Sequence, residues 1–179
     1  MNVFNIKRAF ELKKRNGWPF LYWCVDLHDT IIVGKHNRFN EGRGFCPNAL
    51  RVLTWLDSRE DMKWILHSCA HDDALSDIAL WLEQHGVAPN YINSNPECEN
   101  GHLCDFSKKF YYDIFLDDKA SFECHKDWFL IEKELKKIGE WQNPPKPPED
   151  DELPPAPPVS AWNPFNFFQS GNFALGGVC

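Results

Sequence analysis

An apolar run, Tyr22-Trp23-Cys24-Val25-Asp26-Leu27-His28-Asp29-Thr30-Ile31-Ile32, places the spacing Asp-x-His-x-Thr at its centre. A buried strand that ends on a carboxylate, with a proton-carrying side chain two residues later, delivers both groups to its C-terminal edge. In an open parallel sheet that edge is where ligands bind. Three further pieces follow in order. Met62-Lys63-Trp64-Ile65-Leu66-His67-Ser68 closes a second short apolar run on a hydroxyl, and Ser107-Lys108-Lys109 supplies cations. Tyr111-Tyr112-Asp113-Ile114-Phe115-Leu116-Asp117-Asp118 then closes a third run on two acids. Together these residue types can do phosphoryl transfer. Three converging carboxylates raise one another's pKa values, and a hard divalent cation with oxygen ligands resolves the conflict. A lysine adds a second positive charge, worth roughly 4 kcal/mol at about 4 Å and an effective dielectric near 20. Ser68 and the backbone N–H groups after Asp26 would donate to phosphoryl oxygens.

Each piece has a bland reading. Asp26 could cap the turn that follows it, Ser68 could cap a helix starting near His71, and Asp117 and Asp118 could be solvated loop acids. Taken singly, these are the more ordinary roles. Taken together, they would have to reproduce both the order and the strand-end placement.

The order strand-Asp, strand-Ser, Lys, strand-Asp-Asp resembles the four motifs of the haloacid dehalogenase-like (HAD) superfamily, over about Trp18 to Glu140. The wording Asp-Leu-His-Asp-Thr and Phe-Leu-Asp-Asp-Lys-Ala is similar to small HAD-like proteins of bacteria and their phages. The resemblance implies a Mg²⁺-dependent phosphatase in which Asp26 is the nucleophile and forms an aspartyl-phosphate. It also implies Asp117 as the main carboxylate ligand of the metal beside Asp26, with Asp118 supporting it directly or through water. The backbone carbonyl of His28 would be the third protein contact. Ser68 would hold a phosphoryl oxygen, and Lys109, or its neighbour Lys108, would be the catalytic lysine. Most phosphatases of the superfamily carry Asp where this chain has His28, and Gly where it has Asp29. An imidazole titrates near 6.5 and a carboxyl near 3.9, so His28 could protonate the leaving oxygen and later deprotonate the attacking water. The bulkier ring could also misplace that water. The second reading is then a catalytically weak interaction or structural module that binds metal or phosphate without turnover and is tethered by its C-terminal tail to a larger assembly, a virion or host assembly if the source is a phage.

At 179 residues the chain has the length of one domain. Asn2–Arg15 sets Phe4, Ala9, Phe10 and Leu12 among Lys and Arg, which predicts an amphipathic helix leading into the first strand. Apolar runs at 21–26, 63–68 and 111–117 alternate with helical stretches near 47–58, 72–86 and 125–138. Pro47 reads as a first-turn residue and Gly86 as a stop. A shorter strand around Tyr91-Ile92-Asn93 is expected beside the Ser68 strand. The alternation predicts an α/β fold, a parallel sheet with helices on both faces. With the resemblance this becomes a three-layer Rossmann-like HAD fold over residues 1–141. The polar, glycine-rich segment 31–45 reads as a hairpin or flap, and neither it nor the 94–106 loop has the length of a cap domain. An uncapped site in this superfamily goes with large substrates or with oligomers that cover it. The expected substrate is a phosphate monoester, a nucleotide or nucleic-acid end among the options.

Residues 144–158 hold eight of thirteen prolines, interrupted by Glu149-Asp150-Asp151-Glu152. The 142–160 segment therefore reads as an extended polyproline II linker. Beyond it, 161–179 carries five aromatics on a polar, glycine-containing end. That peptide is either a docking device for a protein partner or a patch on the domain's own surface.

The net charge is −7, and the tail from Gln142 accounts for −3 of it (one Lys, four acids), leaving −4 on the domain. No basic stripe of the kind backbone binding needs is present, so nucleic acid enters only as a substrate. No apolar secretory segment opens the chain and no run approaches transmembrane length. Seven cysteines without repeating spacing fit reduced thiols in a cytoplasm, that of a host (or a virion) if the source is a phage. Cys98, His102 and Cys104 fall short of a zinc site by a fourth ligand, which Cys69 or His71 would have to supply. A free-thiol loop is the preferred reading.

Overall fold

Leu21–Asp26 (β1), Met62–His67 (β2), Tyr91–Ile92 (β3) and Ile114–Leu116 (β4) are the runs richest in aromatic and branched residues. They pair in parallel into one four-stranded sheet of order β3-β2-β1-β4. Four helices accompany it: Ile6–Asn16 (α1), Ala49–Asp57 (α2), Asp72–Gln84 (α3) and Asp127–Lys137 (α4). The computed structural model describes residues 5–33 and 44–146. Most of the flap at 31–45 and nearly all of the tail beyond Gln142 lie outside the described residues, so the expectations for the linker and the aromatic peptide lie outside them too. Parallel pairing in this order is compatible with a Rossmann-like fold. Among the described residues no helix is long and apolar enough to cross a membrane.

The register decides which side chains share a face. β1 is central, running from Leu21↔Met62 to Asp26↔His67 on one side and from Trp23↔Ile114 to Val25↔Leu116 on the other. Strand side chains alternate, so Leu21, Trp23, Val25, Met62, Trp64, Leu66, Ile114 and Leu116 share the first face, and all are buried. One core cluster joins them to all four helices, through Ile6 and Phe10 of α1, Val52 and Trp55 of α2, Ile78 and Trp81 of α3, and Trp128 and Ile131 of α4. The Trp23 and Trp55 rings meet edge-on at 6.2 Å.

The second face carries Tyr22, Cys24, Asp26, Lys63, Ile65, His67 and Phe115. No described helix covers it. Its cover is the irregular crossover from β3 to β4: Tyr111 lies 6.0 Å from Tyr22, Phe110 lies 5.7 Å from His67, and Tyr112 stacks on Phe115 at 5.1 Å. The expectation of helices on both faces is therefore corrected to one helical layer on one face. Successive right-handed crossovers from β1 to β2 to β3 put α2 and α3 on the same side. The return crossover that should carry a helix on the other side reads Ser94-Asn95-Pro96-Glu97-Cys98-Glu99-Asn100-Gly101 at its start. That string holds turn formers and no apolar residues at helical spacing.

Element ends differ from the expected ones by a few residues. α1 starts at Ile6, and Pro47 lies in the turn before α2, whose N-cap is Asn48 in the left-handed region at φ 67°. Tyr111 and Tyr112 precede β4, and Asp113 is tied to β1 on both sides of Tyr22: its N–H donates to the Tyr22 carbonyl at 2.8 Å and its carboxylate accepts the Tyr22 N–H at 2.9 Å.

Candidate functional site at the C-terminal sheet edge

Asp26 is the last residue of β1, and Val25↔Leu116 makes Asp117 its lateral neighbour where β4 ends. Alternation points both carboxylates to the second face, above the fully buried Cys24. Burial pushes Asp26 up to about 7, and the Asp117 charge adds to it, with a smaller push from Asp118; the Leu27 N–H and the Thr30 hydroxyl pull the other way. The Cys24 thiol is pushed up to about 12 by burial and by the same two acids, Asp117 and Asp26. It is an inert part of the floor.

The turn after Asp26 is wound tightly. Ile31 and Ile32 both donate their N–H to the Leu27 carbonyl, at 2.9 and 3.0 Å, and Asp29 donates to the Ile32 carbonyl at 2.8 Å. Asp29 takes φ 57°, in the left-handed region. There Asp is tolerated and Gly is cost-free. His28 sits half-buried at the crest, in a single bridge with Ile32 whose hydrogen bonds run through Leu27 and Asp29.

Thr30 ties the site together, and sequence reasoning gave it no role. It is fully buried, its hydroxyl donates to Asp26 Oδ2 at 3.4 Å, and it accepts the Asp118 N–H at 3.2 Å. Its carbonyl accepts the Trp128 indole N–H at 2.7 Å, so α4 holds the same residue from behind. The one available signal was its position, four residues after the carboxylate. Thr30→Val keeps the shape and removes both side-chain bonds, leaving the Asp118 N–H without its acceptor. We expect a loss of about 1–3 kcal/mol in urea denaturation. A loss under about 0.5 kcal/mol would show that this hydroxyl does not hold the two strand ends.

Asp117 is extended, and its Oδ1 accepts the Lys119 N–H at 2.7 Å, capping the short 3₁₀ turn Asp118–Ala120. The bland capping role thus holds for one oxygen of Asp117. Lys119 pairs with the Asp118 carboxylate, and its ammonium is held charged first by that bond, with Asp26 and Asp117 adding to it. This exposed lysine, missed at the sequence level, feels all three acids.

Ser68 follows His67, the register partner of Asp26, and is buried at the same edge. Its Oγ accepts the Ala70 N–H at 3.2 Å, while the Asn93 side chain takes the Ser68 N–H at 2.9 Å and donates to its carbonyl at 2.7 Å. Ser68 is therefore at the strand end with the acids, and Asn93 positions it. The helix N-cap beyond is His71, with no side-chain cap bond. Among the described residues no ion pair joins Lys108 or Lys109 to these acids: both are exposed, and the Lys109 ammonium lies 5.7 Å from the Tyr112 ring centroid. The structure brings together Asp26, Asp117, Asp118 and the Ser68 strand end, and it does not bring the two lysines onto the carboxylates.

Among the described residues no three His, Cys, Asp or Glu side chains are grouped to hold a metal ion, Cys98, His102 and Cys104 included. A cation at the sheet edge would thus rest on two carboxylates, with main chain, water and phosphate oxygens completing its shell. That donor set fits Mg²⁺. It also matches the electrostatics, since a dication offsets both the burial and the Asp117 repulsion that raise Asp26.

Compared with protein-family models, with curated proteins and with solved structures, the chain matches none of them.

Proposed function

We propose that this domain is a Mg²⁺-dependent phosphohydrolase acting through an aspartyl-phosphate on a phosphate monoester. The observation that carries the reading is the pairing of Asp26 and Asp117 at adjacent parallel strand ends, with Asp26 pushed up to about 7 chiefly by burial and next by its neighbour. A carboxylate so disfavoured in its charged form marks a functional site more often than a scaffold. Mg²⁺, held by Asp26, Asp117 and the His28 carbonyl with Asp118 in support, would supply the positive charge that an anionic ester needs there.

Asp26 attacks phosphorus, and the bond to the leaving oxygen breaks. His28 gives that oxygen a proton, releasing an alcohol and leaving the phosphoryl group on Asp26. Water then attacks phosphorus and surrenders its proton to His28, and the Asp26–phosphorus bond breaks to release inorganic phosphate. Ser68 donates a hydrogen bond to a phosphoryl oxygen. Lys119, already beside the acids, is better placed than Lys108 or Lys109 to face the same anion.

One observation favours a second reading, a module that binds metal or phosphate without turnover: Lys109 rests on Tyr112 rather than on the carboxylates. An aryl phosphate with Mg²⁺ separates the two. The proposal expects phosphate release by wild type and background release by Asp26→Asn. Equal, slow release by both would favour the binding module.

A further inference from the structure

We propose that the phosphate ester taken at this site carries a nucleobase, which stacks on an aromatic platform beside Asp26. The assignment rests on the phosphatase reading above and names its substrate class.

The platform follows from the missing helix. His67 is level with Asp26 on β2, and Phe115 is level with Cys24 on β4, both on the second face. Their rings stand 6.1 Å apart, across β1 and just below Asp26. Phe110 meets His67 edge-on at 5.7 Å, and Tyr112 stacks on Phe115 with an interplanar angle of 26°. All four rings are half-buried. Neither Phe110, Tyr112 nor Phe115 belongs to the core cluster or to the partly buried residues packed against it. The rings close the second face of the sheet outside that cluster and, being half-buried, keep part of their surface in solvent. Partly solvated rings next to a phosphate site are a stacking surface, and every base offers a π-face to one.

Charge favours the same ligand. The Lys109 ammonium sits over Tyr112, so a cation edges the platform and favours an anionic ligand there. A sugar phosphate without a base would leave the rings in water. The domain's charge of −4, from −7 overall less −3 in the tail, disfavours a groove that follows a long phosphate backbone. The ligand is then a single nucleotide or the phosphorylated terminal residue of a strand. Hydrolysis yields inorganic phosphate and a nucleoside or a hydroxyl-ended strand.

The test compares kcat/KM with Mg²⁺ on adenosine 5′-monophosphate, a 5′-phosphorylated oligonucleotide and ribose 5-phosphate, in wild type, Asp26→Asn, Phe110→Ala and Tyr112→Leu. We expect base-bearing esters to exceed ribose 5-phosphate by on the order of tenfold in wild type. In both ring variants that ratio should fall towards one. A partly unfolded variant lowers both rates alike, so the ratio stays readable. Whichever base-bearing ester is preferred identifies the source, free nucleotide or strand end. A wild-type ratio near one, or one that the ring variants leave unchanged, overturns the platform, while wild type exceeding Asp26→Asn keeps the phosphatase reading. If wild type equals Asp26→Asn on every ester, the phosphatase reading is lost and the substrate assignment with it.

Discussion

Asp26→Asn should make the metal-free protein more stable at pH 8 and, on the phosphatase proposal, abolish phosphate release. The folded chain holds a proton on Asp26 up to about pH 7, whereas the ordinary carboxyl value is 3.8. Folding therefore favours the protonated form, and the stability this residue permits falls as pH rises from about 4 to about 7. Above pH 7 the full penalty of a charged, buried Asp26 is present, and Asn removes it. A shift of about three units corresponds to roughly 4 kcal/mol, which partial exposure reduces to about 2 kcal/mol. For a domain of this size that is an increase in Tm of roughly 5 °C at pH 8, closing to nothing near pH 4. Scans of both proteins from pH 4 to 8 without metal check it. A variant less stable than wild type at pH 8 would mean that the carboxylate is held by a favourable partner instead of being penalised by burial and by Asp117.

Trp128→Ala should be the most damaging single change away from the acids. Trp128 is fully buried, meets Phe122 edge-on at 5.2 Å and donates its indole N–H to the Thr30 carbonyl. Removing a buried Trp costs about 3–5 kcal/mol through lost burial and the cavity left behind. A typical domain has only about 5–15 kcal/mol to lose. Trp128→Phe keeps most of the volume and strands the Thr30 carbonyl, so its cost should be nearer 1–3 kcal/mol. Urea unfolding of both variants measures the difference. If Trp128→Ala loses less than about 1 kcal/mol, α4 does not brace the Asp26 turn.

The strands that deliver Asp26, Ser68 and Asp117 were legible because each is an apolar run broken by a polar residue, and a parallel sheet needs such runs. The helices at 49–57, 72–84 and 127–137 fell within the expected stretches for the matching reason, apolar residues at helical spacing. The layer count was not legible, because strand–helix alternation says nothing about the side on which each helix lands. That depends on handedness and strand order, and the 93–113 crossover has no helix to supply the opposite layer. Thr30 and Asn93 were missed because a buried threonine and a post-strand asparagine act through backbone groups that only the fold brings near. Lys119 was passed over for Lys108 and Lys109 because motif order favoured the upstream pair, whereas Lys119, in the 3₁₀ turn after Asp117, pairs with Asp118. The positive φ at Asp29 shows the converse: a left-handed conformation that an Asp after an apolar run does not announce.

The covalent intermediate tests the central claim most directly. Wild type and Asp26→Asn are incubated with a phosphate monoester and Mg²⁺, quenched in acid, digested and examined by mass spectrometry. One phosphoryl group, labile to hydroxylamine, should appear on the wild-type peptide that contains Asp26, and none on the same peptide of the variant. Phosphate release by both proteins at the same rate, with that peptide unmodified in each, would contradict it.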